Sequence, residues 1–296
     1  MGGIIGIDVG GTFTDLFYSE DGINASRVLK VPSTPRDPSE GLRAAAVEPD
    51  GLDAILHGTT IATNAVIERR GAACALITTR GFRDVLELGR RDRPTMYGLA
   101  GVQNPLIPRD LRWEVDERLD EQGGVVRPLD EAELRRVGEL ILQQDVGAVV
   151  IAFLHSYANP VHERRAREIL AELSPDWEIV ASSDVVREYY EFERTSTAAV
   201  QGYLQPLVSN YASNLAAKLS DWGYDRDVLI MQSNGGVTPL RQLGQRAAYI
   251  VRSGPAAGVI AAAQLASAAG YENIITADMG GTSFDVALVA DGESAL

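Results

Sequence analysis

The sequence predicts an α/β fold, in which layers of helices and strands pack on one another. Apolar runs typical of strands alternate with helical segments along most of the 296 residues. In addition, one strand–glycine turn–strand unit occurs twice. Residues 8–15 read Asp-Val-Gly-Gly-Thr-Phe-Thr-Asp, and residues 278–285 read Asp-Met-Gly-Gly-Thr-Ser-Phe-Asp. We call these the first and the second aspartate hairpin.

The first part of the chain begins with a predicted three-stranded meander. Its strands cover residues 4–7, 13–19 and 25–31, and a Glu-Asp-Gly turn joins the last two. Asp37 as cap and Pro38 in the first turn predict a helix. A strand at 54–57, a helix ending at Gly71 and a strand at 72–78 follow. Residues 83–108 are rich in Arg, Gly and Pro, so we predict a surface loop that covers a site.

The middle of the chain continues the alternation. A hairpin is predicted from residues 113–117 and 125–128, turning at Gln122-Gly123-Gly124. Asp130 caps a predicted helix reaching residue 144, with one apolar face formed by Leu134, Val137, Leu140 and Ile141. The near-continuous apolar run 148–154 predicts a central strand. A helix at 160–173 and a strand at 178–182 complete this part.

The last part carries the second aspartate hairpin. Two helices are predicted, at 197–204 and 206–222, then a strand at 228–231 and an alanine-rich helix at 253–269. Strands at 274–278 and 284–290 frame the hairpin. We predict a complete first domain at 1–184 and a second domain at 185–296 that is truncated after its opening hairpin.

Composition excludes several classes of protein. The net charge of −14 argues against nucleic-acid binding, which needs a basic face. Lys30 and Lys218 are the only lysines and neither lies in a glycine-rich loop, which excludes a Walker-type phosphate loop. No apolar run is long enough to span a membrane, so a cytoplasmic protein is expected. Cys74 is interpreted as a small buried hydrophobe in preference to a nucleophile.

The two aspartate hairpins predict a site for phosphate and a divalent cation. Glycine pairs between strands let backbone N–H groups point at phosphate oxygens. We expect Asp8 and Asp278, as catalytic and metal-holding residues, to bind Mg²⁺. The predicted phosphate-binding residues are Gly10, Gly11, Thr12, Thr14, Gly280, Gly281 and Thr282. The alternative is that both units are ordinary hairpin turns. For the second aspartates, Asp15 and Asp285, the choice is between a part in the site and bracing of the turn alone.

Other polar clusters give hypotheses about the substrate. His57, Thr59, Thr60 and Asn64 form a polar cluster at the end of a strand, where ligands gather in α/β sheets. Alternatively, His57 is a packed residue and the threonines cap a helix. Arg83 and Asp84 begin an arginine-rich stretch that suits an anionic substrate, although a solvated face is the alternative. The group Glu191, Glu193 and Arg194 is either an ion pair or catalytic.

These motifs resemble the hydantoinase A/5-oxoprolinase family, which includes ATP-dependent hydantoinases, 5-oxoprolinases and subunits of acetone-type carboxylases. The matching segments follow the family order along the whole chain. They are Gly6-Ile-Asp-Val-Gly-Gly-Thr-Phe-Thr-Asp15, His57-Gly-Thr-Thr-Ile-Ala-Thr-Asn-Ala65, Thr78-Thr-Arg-Gly-Phe-Arg-Asp-Val85, Glu193-Arg-Thr-Ser-Thr197, Ile230-Met-Gln-Ser-Asn-Gly-Gly236, Ser253-Gly-Pro-Ala-Ala-Gly258 and Asp278-Met-Gly-Gly-Thr-Ser-Phe-Asp285. Phe284 departs from the pattern, since many relatives have a small polar residue there.

The resemblance implies an actin-like ATPase (ribonuclease H-like) fold with ATP and Mg²⁺ between two similar halves. It implies an enzyme that phosphorylates an amide oxygen to open a cyclic amide such as a hydantoin or 5-oxoproline. The alternatives are an ATP-dependent ketone carboxylase subunit and a non-catalytic, nucleotide-gated binding module. The implied partner is a hydantoinase B-like subunit or fused domain. Because relatives are longer, the chain is expected to be a fragment that is inactive alone.

Overall fold

The computed structural model describes residues 2–9, 13–20, 27–32, 48–90, 97–98, 103–279 and 284–294. Within them, the elements are β1 (Gly3–Val9), β2 (Phe13–Ser19), β3 (Arg27–Pro32), β4 (Leu52–Thr59), α1 (Ile61–Ile67), β5 (Cys74–Thr79), α2 (Val85–Leu88), β6 (Arg112–Val115), β7 (Arg118–Leu119), β8 (Val125–Arg127), α3 (Glu131–Ile141), β9 (Ala148–Ala152), α4 (Val161–Leu173), β10 (Glu178–Ala181), α5 (Ser182–Val185), α6 (Glu191–Trp222), β11 (Val228–Met231), β12 (Val237–Pro239), α7 (Ser253–Ala268), β13 (Ile274–Met279), β14 (Phe284–Ala290) and β15 (Glu293–Ser294). This confirms the predicted α/β class.

The chain divides into two compact units. The first unit contains Met1–Glu68 and Val208–Leu296, and the second unit contains Arg69–Leu207. The predicted boundary between residues 184 and 185 stays a prediction, as do the truncation of the second half and the actin-like assignment. In the described part of the chain, no helix is both long and apolar enough for a membrane span. The predicted helix after Asp37 lies outside the described residues.

The first unit contains a six-stranded sheet with the order β12-β11-β4-β1-β2-β3. The three central strands β11, β4 and β1 are parallel, and β1, β2 and β3 form the predicted antiparallel meander. Ile5, Ile7, Leu16 and Ile55 are buried in its core. Because parallel strands end at the same edge, the carboxyl ends of β1, β4 and β11 lie side by side.

A second sheet in the first unit has the order β13-β14-β15. Helix α7 contacts this sheet. Alternate residues are at least half-buried, namely Ile274 and Thr276 in β13 and Asp285, Ala287 and Val289 in β14. The intervening side chains form an exposed apolar face, which we call the outer face. Its large members are Ile275, Met279, Phe284, Val286 and Leu288, each more than half exposed.

The second unit is built on a four-stranded parallel sheet with the order β10-β9-β5-β6. Every residue of β9 is buried, as expected for a parallel strand covered on both faces. Helices α3 and α4 pack together. The side chain of Asp130 accepts a hydrogen bond from the N–H of Glu133, so the predicted cap is confirmed.

Helix α3 differs from its prediction at one apolar position. Leu134, Val137 and Ile141 are buried as expected, but Leu140 is 44% exposed. At 100° per residue, Leu140 lies well off the line through positions 134, 137 and 141. The prediction for Leu140 was therefore wrong.

The predicted hairpin of residues 113–117 with 125–128 was also wrong in its first strand. The short strand β7 pairs with β8, whereas β6 joins the parallel sheet beside β5. Trp113 and Val115 pack in or against the core of the second unit. Burial of this apolar pair against β5 therefore outweighs the local turn signal at residues 122–124.

The two helices predicted on either side of Gln205 are one helix, α6, with Pro206 inside it. Proline has no N–H to donate and costs about 3 kcal/mol in a helix interior. Leu204 and Val208 are fully buried on either side of it. Each such side chain contributes roughly 1.5–3 kcal/mol on burial, which offsets that cost.

Candidate functional site

The first aspartate hairpin connects β1 and β2 at the carboxyl edge of the six-stranded sheet. Asp8 lies opposite Asp15 in β2 and beside Gly58 in the parallel strand β4. Thr14, a predicted phosphate ligand, is buried in β2. The other predicted ligands of this hairpin, Gly10, Gly11 and Thr12, lie outside the described residues.

Gly58 makes room for the carboxylate of Asp8. A Cβ at this position would lie 3.0 Å from Asp8 Oδ1, which is closer than ordinary van der Waals contact. Any larger residue at 58 would therefore displace the Asp8 side chain from the edge of β4.

The second aspartate hairpin has the same register as the first. Asp278 lies opposite Asp285, and Met279 lies opposite Phe284, as Val9 lies opposite Thr14 in the first hairpin. Phe284 therefore corresponds to Thr14, but it is 57% exposed where Thr14 is buried. Gly280, Gly281 and Thr282 lie outside the described residues.

The pKa of Asp8 in the first hairpin responds to charges in both hairpins. Although this side chain is exposed, the protein around it raises the pKa of Asp8 above its ordinary value, chiefly by limiting its hydration. The negative charges of Asp15 and Asp278 raise this pKa further, and Lys30 lowers it. Asp8 and Asp278 are thus within electrostatic reach of one another.

The described residues contain no group of three or more His, Cys, Asp or Glu side chains arranged to hold a metal ion. Mg²⁺ does not require such a group, since it usually binds through one or two carboxylates together with phosphates and water. Two neighbouring aspartates with a raised pKa on one of them suit a cation of this kind, provided that phosphate oxygens complete its coordination.

Each second aspartate has a basic partner. Lys30 in β3 donates to both carboxylate oxygens of Asp15, at 2.6 and 2.8 Å. Arg252 donates to Asp285 through a bond of 2.9 Å. Sequence reasoning did not single out either cation. The register of the predicted meander could have identified Lys30, which lies directly opposite Asp15.

A cavity of ≈ 530 Å³ lies beside the second aspartate hairpin. Its walls are mostly apolar and come from α7, β13 and β14, while its polar lining residues are Ser233, Arg252, Thr276, Asp278 and Asp285. Ser233 belongs to the turn after β11, and its N–H donates to the carbonyl of Tyr249 at 2.7 Å. The cavity could hold a small, largely apolar group next to Asp278.

His57 lies in the interior of the first unit. It is 2% exposed, and its Nε2 lies 2.5 Å from the hydroxyl of Tyr211. Burial lowers the pKa of His57 to about 4, against a weaker opposing effect of the backbone at Ile7. Burial also raises the pKa of Tyr211 to about 12. Both groups are therefore uncharged at neutral pH, which favours a packing role for His57.

The neighbouring residues of the His57 cluster organise the start of α1. Thr59 is buried and its Oγ1 accepts a hydrogen bond from the N–H of Ile61. Asn64 donates to Oγ1 of Thr60 at 3.2 Å. These contacts give both threonines a local structural use, and their role toward a substrate stays a prediction.

Arg83 and Asp84 lie in the second unit and bind within it. Arg83 donates to the backbone carbonyl of Arg109, and Arg109 donates twice to Asp84, at 2.8 and 3.1 Å. The guanidinium of Arg109 holds the pKa of Asp84 below its ordinary value. This network orders the loop around α2, and a substrate role stays a prediction.

The group Glu191, Glu193 and Arg194 separates in the structure. Glu193 pairs with Arg90 at 2.6 Å, whereas Arg194 is 1% exposed. Arg194 donates to the backbone carbonyls of Phe153 and Glu188 at 3.0 and 2.8 Å, and burial lowers its pKa. Arg194 therefore ties α6 to the end of β9, a role that no local pattern indicates.

The chain is similar to two curated proteins. The chain is 37% identical to the acetophenone carboxylase gamma subunit of Aromatoleum aromaticum, over 97% of the chain and 42% of that protein. It is 35% identical to the caprolactamase subunit alpha of Pseudomonas jessenii, over 98% of the chain and 44% of that protein. The chain thus spans less than half the length of these curated relatives.

The fold also matches a solved structure. A nucleotide-free structure of acetone carboxylase superposes with a TM-score of 0.87 at 33% identity, covering 98% of this chain and 44% of that one. The family model for the hydantoinase/oxoprolinase N-terminal region matches residues 4–174, and the hydantoinase/oxoprolinase model matches residues 194–296. The chain therefore belongs to the hydantoinase/oxoprolinase family.

Proposed function

We propose that the two aspartate hairpins hold the phosphates of ATP and that the protein uses ATP to activate a small carbonyl substrate. The observation that carries the proposal is the shared register of the two hairpins, with Asp8 and Asp278 in electrostatic reach. Relatives described as ATP-dependent, the acetone carboxylase and the caprolactamase, support this use of ATP.

In this proposal Asp8 and Asp278 would bind Mg²⁺. When bound, the ion would supply neutralisation of the phosphate charge, since phosphoryl transfer needs mainly positioning and electrostatic stabilisation. The backbone N–H groups of the glycine turns and the hydroxyls of Thr12 and Thr282 would donate to phosphate oxygens. Gly58 keeps the Asp8 carboxylate at the sheet edge.

For the substrate we propose a cyclic amide such as a hydantoin, 5-oxoproline or a lactam. An unactivated amide is a poor electrophile. Transfer of the γ-phosphoryl group to the amide oxygen releases ADP and makes that oxygen a leaving group. A first water then attacks the same carbon and the C–N bond breaks, which leaves a ring-opened amine and an acyl phosphate. A second water cleaves the acyl phosphate to the carboxylate and free phosphate. The resemblance to the caprolactamase subunit alpha supports this choice.

A second candidate is ATP-dependent carboxylation of a ketone, in which the enolate oxygen takes the phosphoryl group. The similarity to an acetophenone carboxylase subunit favours it.

Both relatives, the acetophenone carboxylase gamma subunit and the caprolactamase subunit alpha, are named as subunits. We therefore also propose that the chain works with a hydantoinase B-like subunit or fused domain. A nucleotide-gated module without catalysis would bind ATP but respond to none of these substrates.

The test is ATP hydrolysis by the complete gene product that contains this chain, with its partner subunit. Hydantoin, 5-oxoproline, caprolactam, and acetone with bicarbonate are each added. Stimulation by one ring compound supports the amide hydrolase, and stimulation by acetone supports the carboxylase. ATP binding without stimulation by any of them supports the non-catalytic module.

The two aspartates give the site-directed test. Asp8→Asn and Asp278→Asn should each lower ATP turnover by about 100-fold or more, since each removes charge from the metal site. Asp53→Asn is the matched control, because Asp53 is an exposed aspartate at the amino end of β4, away from the hairpins. Full turnover in either hairpin variant would refute the proposed site.

A further inference from the structure

We propose that Arg252 is a positioning residue that fixes the second aspartate hairpin by acting as the counter-ion of Asp285. Its effect on nucleotide binding rests on the proposed function, whereas its effect on the hairpin itself does not. The backbone of Arg252 has an unusual conformation. This residue precedes α7 with φ +66°, a left-handed conformation that is costly for any residue except glycine and persists only where the surroundings enforce it.

The backbone of Arg252 is held by α1. Its N–H donates to Oγ1 of Thr63 at 2.8 Å. Helix α1 begins two residues after β4 ends, and β4 carries Gly58 beside Asp8. The neighbouring Ser253 is fully buried and lies within 3.5 Å of the carbonyl of Thr59. The turn before α7 is therefore anchored to the same edge of the sheet as the first aspartate hairpin.

The side chain of Arg252 reaches the second hairpin. Its guanidinium donates to Asp285 at 2.9 Å, with Arg252 69% exposed and Asp285 22% exposed. One residue thus contacts α1 through its backbone and β14 through its side chain. Movement of the second hairpin relative to the β4–α1 segment would break one of these two bonds.

The first aspartate hairpin shows why a cation is needed at this place. Asp15 holds the position that Asp285 holds in the second hairpin, and Lys30 in the adjacent strand β3 neutralises it. Within the described β13–β14–β15 sheet, no basic residue does the same for Asp285. Arg252 supplies the charge from outside that sheet.

Because Asp15 and Asp285 are paired with basic residues, the first aspartate of each hairpin stays available to bind a cation. Among the described residues, neither Asp8 nor Asp278 has an ion pair within 4 Å, so these two carboxylates can bind a cation. Without Arg252, the negative charge of Asp285 would be unpaired next to Asp278 and would repel phosphate oxygens. Removing the charge of Asp285 as well would relieve this repulsion.

Hydrogen exchange in the 296-residue chain, measured without nucleotide, tests whether Arg252 fixes the second aspartate hairpin. Arg252→Gln should speed exchange of the β14 amides by about two- to fivefold, the range expected for losing one exposed ion pair. The control is Arg241→Gln. Arg241 pairs with Asp227, which precedes β11. This pair lies at the amino ends of the parallel strands, whereas the first aspartate hairpin lies at their carboxyl ends. Unchanged exchange in β14, or equal change in the control, would overturn the proposal.

Binding of Mg²⁺–ATP to the complete gene product tests the counter-ion role. Arg252→Gln should weaken binding by about fivefold, and Arg252→Lys, which keeps the charge, should retain most of the affinity. Adding Asp285→Asn to Arg252→Gln should restore part of the loss. Additive losses in the double variant would overturn the counter-ion role. If the wild-type protein binds no nucleotide, the proposed function fails, and the exchange result alone decides the role of Arg252.

Discussion

The first aspartate hairpin lies inside a six-stranded sheet, whereas the second belongs to a three-stranded sheet with an apolar face in solvent. Both have the same register. In the first, β4 and β3 flank the hairpin strands and supply Gly58 and Lys30. In the second, the corresponding support comes from Arg252 before α7. The same local motif therefore obtains its rigidity in two ways, one from its own sheet and one from a single side chain.

The two hairpins should differ most in how much the free energy of unfolding falls when a side chain of the outgoing strand is truncated. Leu16 is 2% exposed and corresponds by register to Val286, which is 58% exposed. Leu16→Ala should lower the free energy of unfolding by about 2–5 kcal/mol through loss of burial and the cavity left behind. Val286→Ala should change it by less than about 0.5 kcal/mol. Urea unfolding of both variants measures this, and similar losses would show that the two sheets are equally packed.

A smaller effect is expected at Gly58. Gly58→Ala would place a Cβ 3.0 Å from Asp8 Oδ1, so the carboxylate must shift. Overpacking of this kind typically costs about 1–3 kcal/mol. We expect the cost to appear as weaker Mg²⁺–ATP binding with little loss of thermal stability. Gly254→Ala is the matched control, because a Cβ built there meets no atom within 4 Å beyond its chain neighbours and its own helix backbone. Equal affinities in the two variants would contradict the role of Gly58.

The smallest expected effect is the pH dependence from Asp8. Its pKa is raised in the folded state, so folding disfavours the ionised form, and the folded state loses stability as the pH rises from the unfolded pKa through the folded one. Asp8→Asn removes this loss. The variant should therefore have a Tm higher by no more than about 2 °C at pH 7, since the group is exposed, and an equal Tm below the ordinary pKa of aspartate. A lower Tm at pH 7 would contradict the raised pKa.

The local elements could be predicted because their signals are local. The strands at 13–19 and 284–290 have the predicted bounds, since both are short runs rich in apolar residues next to glycine turns. The predicted strand–glycine turn–strand context of both motifs is confirmed, and the structure adds that their registers are equal. These features depend only on neighbours in sequence.

Long-range contacts could not be predicted in the same way. Nothing near Arg252 in the sequence indicates Asp285 as its partner, and nothing near His57 indicates the hydroxyl of Tyr211. Helix α6 continues through Pro206 because burial on both sides outweighs the lost hydrogen bond. In all three cases the outcome depends on how the folded chain packs and not on the neighbouring sequence.

The outer face of the β13–β14 sheet determines how these variants can be measured. Ile275, Met279 and Leu288 expose between 63% and 78% of their surface, and a contiguous apolar area of this kind binds hydrophobic fluorophores before any unfolding occurs. Dye-based melting curves of this chain should therefore start from high fluorescence. Circular dichroism, which does not depend on dye binding, would report the unfolding of both hairpins without that background.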